Sequence, residues 1–257
     1  MSALINPRRN EEAAALGPWF HNLHLPDGSQ TAPEHFLGDF PSFKWSSVSR
    51  AVPQDMRGWT ALDIGCNAGF YSFEMARRGA RVVGLDVDAR YLRQANWAAQ
   101  RLGLSDSVEF RQGQVHDLIT WDSQFDFVWF TGVFYHLRYP ALALDLVRRA
   151  TRKLLMFQSL TMPGGEPAVP PPADMRLDDR DLMLADAWPK LAFIENSLET
   201  DATNLWAPNA ACVEALLRTA GFRVLSRPEH EFWMCEPVAT PPNPELDRLR
   251  SLATRPP

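Results

Sequence analysis

The chain has 257 residues, of which 46% are hydrophobic, 22% charged and 11% aromatic, with a formal net charge of -5. This composition excludes a disordered or fibrous polymer and a uniformly basic nucleic-acid binder, and no stretch reaches the roughly 20 apolar residues of a membrane helix. Cys66, Cys212 and Cys235 are odd in number and lack metal-ligand spacing, and "MSALINPRRNEEAAALGPW" lacks the apolar core of a signal peptide, so the expectation is a cytoplasmic protein with no metal and no membrane partner.

Residues 1–57 are rich in loop-forming and aromatic residues, densest in "GPWFHNLHLPDG" and "HFLGDFPSFKW", and read as an N-terminal extension. From residue 58 onward, strand-like and helix-like runs alternate. "TALDIG" (60–65) is an apolar run ending in Gly65, "FYSFEMARRG" (70–79) a helix stopped by Gly79, and "RVVGLDVD" (81–88) a second strand. A helix over 89–103 leads to a third strand over 108–115 and a fourth over 125–132. A helix over 141–152 then precedes a fifth strand over 153–160. Residues 161–207 interrupt the pattern: "MPGGEPAVPPPADM" forbids regular structure, and the segment reads as an insertion. "PNAACVEALLRTAGF" (208–222) has Pro208 at its start and Gly221 at its end, the usual helix asymmetry, and 223–227 with 229–237 close the set as two strands. The expected architecture is α/β: a seven-stranded, mostly parallel sheet with helices on both faces over 58–237, with 1–57 and 161–207 forming a lid and 238–257 a peripheral tail. No internal repeat is present.

The chemistry concentrates in "LDIGCNAGFYSFEMARRGARVVGLDVD" (62–88). Ligands of open parallel sheets sit beyond the carboxyl ends of the strands, where Gly65 to Gly69 would lie. Those glycines are spaced G-x-x-x-G, without the third glycine of a dinucleotide site, and Asp63 stands two residues before the first. A carboxylate there opposes a pyrophosphate and suits a ligand with an ammonium and a sulfonium. Asp86, ending the second strand, can accept from both hydroxyls of a ribose.

These residues resemble the first motif of the class I S-adenosylmethionine-dependent methyltransferases, over roughly 60–237. The resemblance implies S-adenosylmethionine as cofactor and S-adenosylhomocysteine as product. Gly65 and Gly69 would approach the methionine end, Asp86 would hold the ribose, Val87 would pack on adenine, Gln114 and Val115 would read the adenine edge, and the Thr131 carbonyl would face the amino group. A narrower similarity runs through "GPWFH" (17–21), "FPSFKWSSVSRAVPQDMRGWTALDIGC" (40–66) and "FTGVFYHLRYP" (130–140), which resemble the bacterial tRNA wobble-uridine carboxymethyltransferases. In that family basic and phenolic groups grip the extra carboxylate of carboxy-S-adenosylmethionine, and Lys44 and Tyr135 stand at two matching places. His21 stands where the family supplies a lysine, and "EHEFWMCEP" is acidic where it has arginines. A carboxylate is better held by arginine than by these groups, so the ordinary methyl donor is expected.

Methyl transfer is an in-line displacement in which positioning supplies most of the acceleration and a base serves only a protonated nucleophile. His136 is the candidate base and Tyr135 its neighbour in orienting the acceptor. His21, Glu195, Asn204 and Trp206 are candidate acceptor contacts, since polar groups among aromatics make a selective pocket. The expected reaction is methylation of an oxygen or nitrogen on a small molecule, a secondary metabolite or a sugar-containing compound. The rival readings are a tRNA-modifying transferase and a catalytically idle, cofactor-binding regulator.

Overall fold

The computed structural model describes residues 11–166, 172–239 and 243–255; Arg8, Arg9 and the centre of the proline-rich run fall outside them. Two short helices, α1 (Glu11–Ala15) and α2 (Ser42–Val48), precede the alternating region. There follow β1 (Thr60–Ile64), α3 (Phe70–Arg77), β2 (Arg81–Asp86), α4 (Ala89–Leu102), β3 (Val108–Gln112), β4 (Phe125–Phe130), α5 (Pro140–Ala150) and β5 (Thr151–Gln158). The last elements are β6 (Leu191–Phe193), β7 (Trp206–Pro208), α6 (Ala210–Ala220), β8 (Phe222–Glu229), β9 (Phe232–Pro237) and α7 (Pro244–Ala253). Seven strands form one sheet in the order β3-β2-β1-β4-β5-β9-β8. β1, β2 and β3 pair in parallel, whereas β9 runs antiparallel to both β5 and β8. The expected seven-stranded, mostly parallel architecture is therefore the observed one.

Local chemistry explains the element ends. The Asp88 carboxylate caps α4 by accepting from the Arg90 amide at 2.7 Å, and Gly103 closes it in the left-handed conformation. Every residue of β4, "FDFVWF", is buried, as a two-sided central strand requires. Its one charge, Asp126, accepts from the Thr60 amide at 3.0 Å.

Residues Met1–Gln114 with Phe125–Trp129 make one compact unit, and Val115–Gln124 with Phe130–Pro257 the other. In the first, the N-terminal extension is built on ordered contacts. Gln94 on α4 donates to the carbonyls of Leu16 and Pro18, and the Trp19 indole donates to the Ala13 carbonyl. Arg78 lies over the Trp45 ring and donates to the carbonyls of Ser49, Val52 and Pro53. One ring, Phe110 of β3, fills the space above two glycines. A Cβ on Gly69 would lie 2.8 Å from it, and a Cβ on Gly84 2.6 Å.

Three expectations change, two in the second unit and one in the first. Pro208 does not start a helix: it ends β7, and α6 begins at Ala210 behind Asn209, whose side chain accepts from the Cys212 amide at 2.8 Å. Asn is a stronger cap than a leading proline is a start signal, and it sits one position later. The insertion is not wholly irregular, since a 3-10 segment spans Leu177–Leu184 and β6 pairs with β7. The third strand ends at Gln112, because the Gly113 amide turns back to the Asp86 carbonyl at 2.9 Å. The C-terminal tail carries α7, a surface helix that Arg250 ties to the Ile119 carbonyl and the Asp122 carboxylate.

Candidate functional site

The loop leaving β1 carries the first group of predicted residues. Gly65 and Gly69 have φ of 76° and 87°, and between them Asn67 has φ 50°, so three of five residues take the left-handed conformation. This winding brings the Asn67 amide to the Asp86 carboxylate at 2.8 Å, and the Asp88 amide meets the other oxygen at 2.9 Å. Asp86 is thus engaged before any ligand arrives, which the sequence reading did not anticipate. Each carboxylate oxygen keeps a further lone pair for a hydroxyl. Burial raises its pKa, and the bonds from these amides oppose that rise.

Asp63 is almost wholly buried on β1. Ser72 on α3 donates its hydroxyl to one carboxylate oxygen at 2.6 Å, and the other oxygen is buried without a partner. Desolvation, reinforced by the nearby Asp86 charge, pushes the carboxyl up to about 7. An orphaned acceptor beside a second acid is a site short of positive charge, which a ligand carrying an ammonium and a sulfonium supplies. Val87, 62% exposed just past Asp86, presents the apolar surface that a flat base requires. Gln114 is exposed, one residue beyond the amide that folds back on Asp86. These residues fit S-adenosylmethionine.

Lys44 holds its ammonium 5.5 Å from the centre of the Phe40 ring. His21 is enclosed by the rings of Phe20, Phe40, Phe70 and Tyr71, and burial, with the neighbouring His35, drives its pKa down to about 3. His21, a candidate acceptor contact, is thus a buried, neutral residue. Among the described residues no cluster of three or more His, Cys, Asp or Glu side chains is arranged to hold a metal.

The second unit holds the remaining candidates. Thr131 and Val115 are buried, so Val115 offers no open apolar face. Tyr135 and His136 lie in a 3-10 turn, Phe134–His136, their ring centroids 4.2 Å apart. Burial, followed by the charges of Glu231 and Asp201, pushes the Tyr135 phenol up to about 12. Burial lowers the His136 pKa, and its bonding to Thr203 and the Asp201 charge counter this. The insertion is tied to this turn: the Leu205 amide donates to the Tyr135 carbonyl at 2.9 Å, and the Trp206 indole to the Leu137 carbonyl at 2.9 Å. Trp206 thereby braces the turn. Asn204, buried, donates its amide to the Leu198 carbonyl at 3.0 Å. Glu195 is exposed.

Two groups beside His136 escaped the sequence reading. The Thr203 hydroxyl lies 2.9 Å from His136 Nδ1 and donates to Asp201 Oδ1 at 2.6 Å. Glu231 also escaped it; this residue accepts from the Thr161 amide and from the Gln158 side chain, whose own oxygen accepts from the Gly132 amide. Only the acidity of "EHEFWMCEP" hinted at Glu231.

Comparison with known proteins points to the same cofactor. Residues 62–154 match the family described as methyltransferase domain. The tRNA U34 carboxymethyltransferase of Hahella chejuensis is 27% identical over 232 residues, covering 87% of this chain and 67% of that protein. The enzyme of the same name from Pseudomonas paraeruginosa is 29% identical over 225 residues, covering 86% and 60%. The chain thus spans about two thirds or less of the length of these curated relatives. Among solved structures, the N-terminal domain of EvdMO1, crystallised with SAH and D-fucose, superposes with a TM-score of 0.59 at 22% identity, covering 89% of this chain and 94% of that one. The chain has the fold of the class I methyltransferases, matches a methyltransferase domain over residues 62–154, and is similar in sequence to the tRNA U34 carboxymethyltransferases.

Proposed function

We propose that the chain transfers the methyl group of S-adenosylmethionine to an oxygen or nitrogen of a small molecule, a sugar-containing compound or secondary metabolite. One observation carries this reading. Tyr135, which matches a phenol used by the carboxymethyltransferases on the donor's extra carboxylate, has its pKa raised by burial and then by the charges of Glu231 and Asp201. Negative charge felt at that phenol also opposes a third carboxylate, so a donor without the extra carboxyl group is preferred. Arg148 donates to the carbonyls of Gly221 and Val238 at 2.8 and 2.6 Å, so its guanidinium is engaged in the fold. D-fucose in the EvdMO1 crystals shows only that a protein of this fold is studied with a sugar, and it supports the choice of sugars as first acceptors to try.

The cofactor supplies an electrophilic methyl on a sulfonium sulfur. The chain's residues bind and orient: Asp63 offers a buried negative charge, Asp86 holds hydroxyls while fixing the glycine loop, and Val87 covers a base. His136, with its pKa lowered by burial, is neutral near pH 7 and can take a proton from the acceptor. The names of the curated relatives favour a second reading, a tRNA-modifying transferase. Calorimetric titration with S-adenosylmethionine, S-adenosylhomocysteine and carboxy-S-adenosylmethionine separates the two. Our reading expects the first two to bind at least tenfold more tightly than the third, and a preference for the carboxylated donor overturns it. With radiolabelled methyl donor, transfer should reach a panel of hydroxylated and amino sugars and leave undermodified tRNA unlabelled.

A further inference from the structure

We infer that Asp201 and Thr203, both in the insertion, are positioning residues that lock His136 into the tautomer with its proton on Nδ1, leaving the Nε2 lone pair free to receive the acceptor's proton. This inference rests on the reading of His136 as the base, and it adds the device that makes the histidine a base at a stated atom.

A threonine hydroxyl has one proton, and an ionised carboxylate only accepts. Asp201 is held ionised, its pKa lowered first by the bond from the Thr203 hydroxyl and then by that from the Thr203 amide. With the hydroxyl proton committed to Asp201 Oδ1 at 2.6 Å, the Thr203 oxygen meets His136 Nδ1 at 2.9 Å as an acceptor. The imidazole must therefore donate from Nδ1, and Nε2 carries the lone pair. When Nε2 takes up a proton, the imidazolium keeps both protons and is stabilised by the Asp201 charge, while the Thr203 bond holds the ring in place.

The backbone around Asp201 is built to hold it. The Leu198 and Asp201 amides and carbonyls bond reciprocally at 3.2 and 3.0 Å, closing a two-residue turn. The turn residues, Glu199 and Thr200, both have positive φ, 52° and 62°. Such a turn ordinarily takes Asn-Gly, and a β-branched residue in this conformation is strained. The Thr203 amide adds a 2.8 Å bond to Asp201 Oδ1, and the Asn204 side chain fastens the turn from the other side through the Leu198 carbonyl. Strain retained next to a titratable pair, where glycine would relieve it, points to a position worth holding.

The test reads the ring itself and needs neither acceptor nor turnover. Long-range 15N–1H correlation spectra of the labelled protein at pH 8 should show His136 protonated on Nδ1. Thr203→Ser should keep that tautomer, and Thr203→Val should shift His136 to the Nε2-protonated form that free histidine prefers. Protonation on Nε2 in the unsubstituted protein, or an unchanged tautomer in Thr203→Val, overturns the inference. Once an acceptor is found, Thr203→Val should lower kcat about tenfold to hundredfold with the KM for S-adenosylmethionine unchanged, and Thr203→Ser should restore it. A failed search for acceptors would count against methyl transfer to small molecules and leave the tautomer result standing, so the two failures are distinguishable.

Discussion

Replacing Asp63 by asparagine keeps the shape of the side chain and removes its charge. In the folded protein this carboxyl titrates at about 7, against roughly 3.9 in an unfolded chain. A tenfold change in proton affinity is about 1.4 kcal/mol, so holding the ionised form costs the folded state on the order of 4 kcal/mol. Below about pH 4 both states keep the proton and there is no penalty. As pH rises from there to about 7, the unfolded chain ionises while the folded one resists. Folded stability is lost over that window and then levels off. Urea denaturation of the protein and of Asp63→Asn at pH 4.5 and 8.5 isolates this effect, since any constant cost of the amide group cancels between the two pH values. The variant should gain about 2–4 kcal/mol relative to the parent on going to pH 8.5. Equal differences at both pH values would refute the picture of a charge-starved carboxylate. The same reasoning makes S-adenosylmethionine binding release a proton near pH 6, and calorimetric enthalpies should vary with buffer ionisation heat in the parent and not in the variant.

Asp86→Ala should weaken S-adenosylmethionine binding at least about 100-fold by calorimetry, because it removes a hydroxyl acceptor and frees the Asn67 and Asp88 amides together. Gly69→Ala forces a side chain into φ 87° and against the Phe73 and Phe110 rings, at a cost of about 2–5 kcal/mol in urea midpoints. Asn209→Ala removes the cap of α6 and also the bonds to the Lys190 amide and the Trp188 carbonyl. About 2–3 kcal/mol of stability should go, and proteolytic cleavage between 172 and 190 should become faster.

The order of elements was legible because its signals are local. Apolar runs, glycine stops and the Asp88 cap each act within a few residues, and Asp63, Gly65, Gly69 and Asp86 all lie inside one such stretch. β6 and β7, at three residues each, are too short to show a period, and Pro208 reads equally as strand end or helix start until Asn209 is seen to cap. His136 was found from its place beside Tyr135 in a resembling motif. Asp201 and Thr203 were not, because Thr203 reaches it across 67 positions and neither belongs to a motif. His21 misled for the opposite reason: its neighbours in sequence look like a loop, but its neighbours in space are aromatic rings.

The Phe110 ring gives the glycine motif a history-dependent character. Gly84 has no positive φ, so only the ring and the Cys66 sulfur, 2.6 and 3.0 Å from where a Cβ would stand, forbid alanine there. In a lineage carrying the phenylalanine, alanine at 84 is a dead end. In one where 110 has first shrunk to leucine, the same change becomes passable, although Gly69 remains bound by its backbone. Which substitutions Gly84 can accept therefore depends on their order in time, and the gatekeeper is a β3 residue distant from it in sequence.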